Sequence, residues 1–134
     1  MDGFPFSCSI QVRWSDLDAF GHVNNATVAS YLEMARTDAW LKLFGDREPL
    51  GIPFFVKRLE IDYRRPIDLE DDLRVGLRVT EIRGASLIFE YRVEAGAELA
   101  ATATTRLACV DKKTGRPVPI DPGVRKILRE LVVD

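Results

Sequence analysis

The chain has 134 residues, 46% of them hydrophobic and 30% charged, a balance that fits one ordinary globular domain and excludes a disordered or membrane-embedded chain. Nineteen basic and twenty-one acidic side chains leave a formal net charge of -2, so no global field draws the protein to nucleic acid or to an anionic membrane. Any anionic ligand needs a local basic patch. One domain over residues 1–134 is expected. A domain of this size buries only about two-thirds of its unfolded surface, so a dimer that hides more apolar area would be unsurprising. The N-terminal MDGFPFSCSI has neither a basic n-region nor a long apolar h-region, and no run of about eighteen apolar residues follows. Cys8 and Cys109 are isolated in strand-like apolar stretches and form no C-x-x-C pair, which reads as buried reduced thiols in a cytoplasmic protein, neither exported nor membrane-spanning.

In chain order, Ser9 to Trp14 alternates so that Ile10, Val12 and Trp14 share one face of a half-buried strand. From Ala26 to Phe44 the period changes to that of a helix. Val28, Ala29, Tyr31, Leu32, Met34, Ala35, Ala39, Trp40, Leu41, Leu43 and Phe44 cover most of its circumference, which predicts burial on most sides. Ser30, Glu33 and Thr37 form one narrow polar stripe, Asn24 or Asn25 can cap the start, and Gly45 can supply the stop. After the loop DREPLGIP, Phe54 to Arg64 reads as a strand ended by Arg65-Pro66. Leu73 to Thr80 and Leu87 to Glu94 alternate as two more strands around a turn at Gly84-Ala85-Ser86. A hairpin centred on Gly96 leads into a long strand, Leu99 to Val110, rich in Ala and Thr, whose small side chains permit close packing. Asp121 as N-cap and Pro122 at the first helical position predict a short final helix carrying Val124, Ile127, Leu128 and Leu131 on one face. No repeat, low-complexity segment or interdomain linker interrupts this order.

These elements make an α+β domain in which consecutive antiparallel strands must curl around one helix. Pairing two such sheets edge to edge would remove an exposed edge.

The segment WSDLDAFGHVNN gathers two aspartates, the only histidine and two asparagines immediately before that apolar helix. Turn chemistry accounts for some of these groups, since Asp and Asn cap backbone N–H groups and Gly takes positive φ. One cap would satisfy the turn, so the surplus asks for a second role. The N-terminus of a buried helix offers unpaired N–H donors and a partial positive charge, which favour an oxygen that becomes anionic during acyl transfer. A carboxylate beside it can serve as general base or as nucleophile. Competing chemistries fare worse. There is no G-x-S-x-G elbow for a serine triad, nothing in the spacing brings Cys8 or Cys109 to His22, and one histidine with two separated cysteines makes a poor zinc set. No G-x-G-x-x-G or G-x-x-x-x-G-K-[ST] loop is present, so dinucleotide and P-loop cofactors are not expected.

The stretch from Asp16 to Arg36, D-x-D-x-x-G-H-V-N-N followed by Y-L-E-x-A-R, resembles the signature of the hotdog-fold acyl-CoA thioesterases of the 4-hydroxybenzoyl-CoA thioesterase-like group. I-D-Y-R-R-P at residues 61–66 resembles a second, weaker pattern of that family, and the likeness extends from about Ser7 to Val110. The resemblance implies a hotdog fold, in which a curved antiparallel β-sheet wraps one long central helix. It also implies hydrolysis of an acyl-CoA thioester to free acid and CoA in a homodimer or dimer of dimers with sites between subunits. Matched position by position, the family's catalytic aspartate falls on Asp18 and its carbonyl-polarising backbone amide on Asn25. The family often carries Tyr or His at the latter position, so the amide rather than the side chain transfers. His22 is divided between contacting substrate and supporting the loop, and Asn24 between capping the helix and positioning water. Asp16 orients the loop, acts on Asp18 through like charge, or caps the turn. A related subfamily uses a glutamate on the central helix, which makes Glu33 a rival, although an ion pair with Arg36 one turn on is its simpler explanation. For the CoA phosphates the candidate cations are Arg64, Arg65, Lys57 and Arg58, with Arg64-Arg65 preferred; Arg83, Lys112, Lys113 and Arg116 are further candidates. Tyr31, Met34, Phe54, Phe55 and Phe89 either line an acyl pocket or belong to the core. Two alternatives stand beside hydrolysis: a noncatalytic acyl-CoA or acyl-carrier-protein binding domain, and a hydratase on the same fold.

Overall fold

The structure, a computed structural model, describes residues 1–45 and 54–133, so the DREPLGIP loop lies outside the described residues. The elements are β1 (Phe6–Ile10), a 3-10 turn (Trp14–Asp16), α1 (Asn25–Phe44), β2 (Phe54–Tyr63), β3 (Leu73–Ile82), β4 (Ser86–Ala95), β5 (Glu98–Cys109), α2 (Pro122–Leu128) and a second 3-10 turn (Arg129–Leu131). Among the described residues the strands form one antiparallel sheet in the order β1-β3-β4-β5-β2. Consecutive hairpins build its centre, whereas β1 and β2 occupy opposite edges.

Register explains which side chains meet the helix. Phe6, Leu77, Tyr91, Ala103 and Ile61 stand opposite one another across all five strands. The first four of that row are buried, and Ile61 packs against the core from the edge. α1 lays Val28, Tyr31, Leu32, Ala35 and Ala39 onto this face, and Trp40 stacks on Phe54 at 5.8 Å between ring centroids while meeting Phe89 edge-on at 5.9 Å. The alanines of β5 serve large neighbours: Ala103 lies between Tyr91 and Ile61, and Ala101 between Val93 and Tyr63. Cys8 and Cys109 are free thiols, both pushed up by burial. Asp121 caps α2 by accepting from the Gly123 and Val124 amides, and Leu128 and Leu131 seal that end of the core.

Three expectations are corrected. The first strand begins and ends earlier than Ser9 to Trp14, because the pairing of β1 with β3 stops at Ile10 opposite Leu73. Beyond it the Arg13 amide donates to the Asp16 carboxylate at 3.0 Å, the chain turns, and Trp14 emerges 78% exposed while Val12 stays buried. Second, α1 is not covered on most sides within one chain. Met34 is 50% and Leu41 46% exposed beside Ser30, Glu33 and Thr37, since one sheet can cover only the face of a helix that lies against it. Third, Arg36 does not pair with Glu33. Its guanidinium donates to the Tyr91 hydroxyl at 3.1 Å, and Tyr91 shares a 2.7 Å bond with Thr105, a polar chain inside the core that a solvent-facing ion pair would leave unsatisfied.

Candidate active site

The site is built on the loop between β1 and α1, and the loop is built on Asp16. That carboxylate is 3% exposed and accepts from the Tyr31 hydroxyl at 2.6 Å, the Arg13 amide at 3.0 Å and the Arg13 guanidinium at 3.1 Å. Burial works to raise Asp16, but these donors outweigh it and hold the acid below its ordinary value. Tyr31 is pushed up, by burial first and by its bond to Asp16 second. The backbone then closes. Asn24 donates its amide to the Asp16 carbonyl at 2.9 Å, Leu17 bridges Val23, and the Val23 amide reaches the Ile67 carbonyl at 2.9 Å.

Within this frame residues 18–22 form a tight turn. The Asp18 amide donates to the His22 carbonyl at 2.7 Å, and Gly21 donates to the Asp18 carbonyl at 3.1 Å from a backbone φ of +78°, a conformation open to glycine. One Asp18 carboxylate oxygen, Oδ1, accepts from the Phe20 amide at 2.9 Å and the His22 amide at 3.3 Å. The other, Oδ2, has no partner among the described residues. The turn thus orients the carboxylate through one oxygen and leaves the second available.

The asparagines divide the helix start between them. Asn24 is the N-cap, its side chain accepting from the Ala26 amide at 2.8 Å, while its carbonyl accepts from Thr27. Asn25 opens α1, and its N–H finds no acceptor among the described residues. Its carbonyl accepts from the Tyr63 hydroxyl at 2.6 Å. Asp18, His22, Asn25, Tyr63, Arg64 and Arg65 line a cleft of about 360 Å³ whose apolar wall comes from Phe20, Val23, Val28, Pro66 and Ile67.

The cleft gathers some of the sequence candidates and not others. His22 turns Nδ1 toward the Asp68 carboxylate at 2.9 Å, tying the loop to the segment after β2. Arg64 is exposed at the cleft, its guanidinium unpaired among the described residues. Arg65 is committed elsewhere, to Asp71 at 3.1 Å, Glu98 at 2.9 Å and the Pro66 carbonyl at 2.7 Å. Arg58 pairs with Glu60 in a separate groove with Thr104 and Arg106, and Lys57 occupies the bulge where β2 slips against β5. Neither lines the cleft, because at about 3.3 Å per strand residue they lie well back along β2 from Tyr63, where the cleft begins. Glu33 lies in a groove on the open side of α1 with Cys8 and Met34, apart from Asp18. Sequence reasoning passed over Tyr63 and Asp68. Tyr63 is the third residue of I-D-Y-R-R-P, and that motif was the one available signal. Among the described residues no cluster of three or more His, Cys, Asp or Glu side chains can hold a metal, and no helix is long and apolar enough to cross a membrane.

A five-stranded antiparallel sheet curved against one long helix, with a polar turn and a cleft at the helix start, defines the hotdog class of thioester hydrolases. Residues 12–128 match the model of the thioesterase-like superfamily, and the chain belongs to that family. Among relatives, the acyl-CoA thioesterase YbgC of Haemophilus influenzae is 33% identical over 130 residues, covering 94% of this chain and 96% of that protein. The long-chain acyl-CoA thioesterase FadM of Escherichia coli is 30% identical, covering 92% and 96%. Among solved structures, a thioesterase from Thermus thermophilus complexed with coenzyme A and zinc superposes with a TM-score of 0.88 at 40% identity, covering 98% of this chain and 96% of that one.

Proposed function

We propose that this protein hydrolyses an acyl-CoA thioester to free acid and CoA at the cleft between the Asp18 turn and the start of α1. One observation carries the reading: Asp18, which keeps one carboxylate oxygen without a partner among the described residues, and Asn25, whose backbone N–H is likewise unpaired among them, line the same cleft. The Asn25 amide, reinforced by the helix dipole, donates to the thioester carbonyl and stabilises the negative charge that forms on its oxygen. As general base, Asp18 takes a proton from water while the water oxygen bonds to the carbonyl carbon. The C–S bond then breaks, and the thiolate of CoA receives the proton. As nucleophile, Asp18 bonds to the carbonyl carbon directly, expels the thiolate and leaves an acyl anhydride. Water opens it at the Asp18 carboxyl carbon, the acid leaves with an original Asp18 oxygen, and a proton of the water passes to the thiolate. Single turnover in heavy-oxygen water separates the routes, because only the nucleophilic route transfers an original Asp18 oxygen to the product.

Arg64 is the cation best placed for a phosphate of CoA, being exposed at the cleft and free of the ion pairs that occupy Arg65. His22 and Asn24 act as supports, one bracing the loop and the other capping the helix. The reading includes a homodimer formed through β2. That edge strand exposes Phe55, Val56, Leu59 and Tyr63, and pairing it with a second copy would cover them and place the cleft beside the partner. It also includes one cytoplasmic domain, in keeping with the reduced thiols.

The test is a thiol-release screen over acyl-CoAs of varied length and aromaticity, run on the wild type and on Asp18→Asn. Loss of a base or nucleophile is expected to lower kcat by about a hundred- to ten-thousandfold while the variant stays folded. Undiminished turnover by Asp18→Asn refutes the role of Asp18. Acyl-CoA binding without thiol release by the wild type would make the domain a noncatalytic binder instead.

A further inference from the structure

We propose that Tyr63 is a positioning residue: through its hydroxyl it holds the Asn25 peptide, and with it the amide that meets the thioester carbonyl, against the edge strand β2. This inference rests on the reading of Asn25 given above. It identifies what keeps that amide in place.

The first turn of a helix is its least secured part, because its leading N–H groups have no acceptor within the helix. An amide that stabilises developing charge must nevertheless stand within about 0.5 Å of its working position. At the start of α1 the fastening comes from both sides of Asn25. On the preceding residue, the Asn24 side chain accepts from Ala26 at 2.8 Å and the Asn24 carbonyl accepts from Thr27 at 2.9 Å. On Asn25 itself, the carbonyl receives the Tyr63 hydroxyl at 2.6 Å, the short end of the range for such bonds. The N–H is what remains uncommitted among the described residues, on a residue that lines the cleft.

Tyr63 is a firm anchor because its own strand end is fastened. It is the last residue of β2, paired with Ala101, and the two amides that follow it, Arg64 and Arg65, both donate to the Ala100 carbonyl at 2.8 and 3.2 Å. Burial pushes the phenol up, so it remains a donor throughout the neutral range. Among the described residues no other side-chain hydrogen bond joins β2 to α1, and the stack of Trp40 on Phe54 meets that strand at the opposite end of the helix. The residue therefore links the free edge of the sheet to the helix start, and strand position at that edge is transmitted to the amide.

The experiment compares wild type, Tyr63→Phe and Asp18→Asn as full-length chains, with hexanoyl-CoA and benzoyl-CoA as substrates. A separate measurement uses the ketone analogue of hexanoyl-CoA, in which methylene replaces sulfur, and reads its carbonyl stretch when bound. A misplaced rather than missing donor is expected to lower kcat of Tyr63→Phe about tenfold. KM and melting temperature stay near wild type, and the bound carbonyl stretch shifts less to low frequency than in the wild type. Amide exchange at Asn25 and Ala26 is expected to quicken as the first turn loosens. Unchanged kcat with a lowered melting temperature would reduce Tyr63 to a structural strut. A raised KM with unchanged kcat would make it a substrate contact, and an equal carbonyl shift in both proteins would remove the positioning role; each of these overturns the proposal. If the wild type releases no thiol, the thioesterase reading fails on its own, while the carbonyl stretch still reports on Tyr63.

Discussion

Replacing Tyr31 by Phe removes one hydroxyl from beneath the active-site loop and tests whether Asp16 is the support on which Asp18 stands. The bond lost is 2.6 Å long, and its partners are 2% and 3% exposed. A hydrogen bond to a charged group contributes about 1.5–3 kcal/mol. Asp16 would keep both Arg13 donors, so the carboxylate is weakened rather than orphaned, and about 2 kcal/mol is the expected loss. For a chain of this length that corresponds to a fall of roughly 6–10 °C in Tm. Denaturant unfolding at fixed protein concentration measures it, and Asp16→Asn with the double variant completes the cycle. The pH dependence has a definite sign. Folded Asp16 lies below its ordinary value, so its contribution is complete above the usual carboxylate range and is lost as pH falls through the folded value. The gap between wild type and Tyr31→Phe should therefore be widest near neutrality and close under acid conditions. A loss below about 0.5 kcal/mol, or a gap independent of pH, would refute the reasoning.

The other predictions concern the edge and the cleft mouth. Leu59→Asp, placed on the exposed side of β2, is expected to convert the proposed dimer to monomer in sedimentation velocity and to reduce thiol release with it; a persistent dimer would move the interface elsewhere. Arg64→Ala should raise KM for acyl-CoA by about three- to tenfold with kcat unchanged, the loss of one exposed charge contact. The effect should vanish for the matching acyl-pantetheine, which lacks the nucleotide phosphates; equal loss with both substrates would count against a phosphate contact.

Much of the site was legible because it is written in one stretch of chain. Asp16, Asp18, Gly21 and Asn24 act on groups a few residues away: a cap two residues on, a turn four residues on, a carbonyl eight residues back. Local chemistry of this kind needs no knowledge of the remaining fold. The same holds for α1 between Asn24 and Gly45, for the Asp121-Pro122 helix start, and for the alternation along β3 and β4. Arg58 and Arg65 show where that reasoning stops. Both were candidates as local cations for the CoA phosphates, yet one pairs with Glu60 on a different groove and the other is held by Asp71 and Glu98.

By itself, the sequence determined the kinds of element, their order and the polar turn that opens the helix, because periodicity and capping act over a few residues. Only the tertiary structure decided that β2 becomes an edge rather than a neighbour of β3. It likewise decided that Trp14 leaves the core, that Arg36 turns inward to Tyr91, and that Tyr63 reaches Asn25 from 38 residues away. Such pairings depend on which surfaces meet once the sheet has curved against the helix, and no local pattern records that choice.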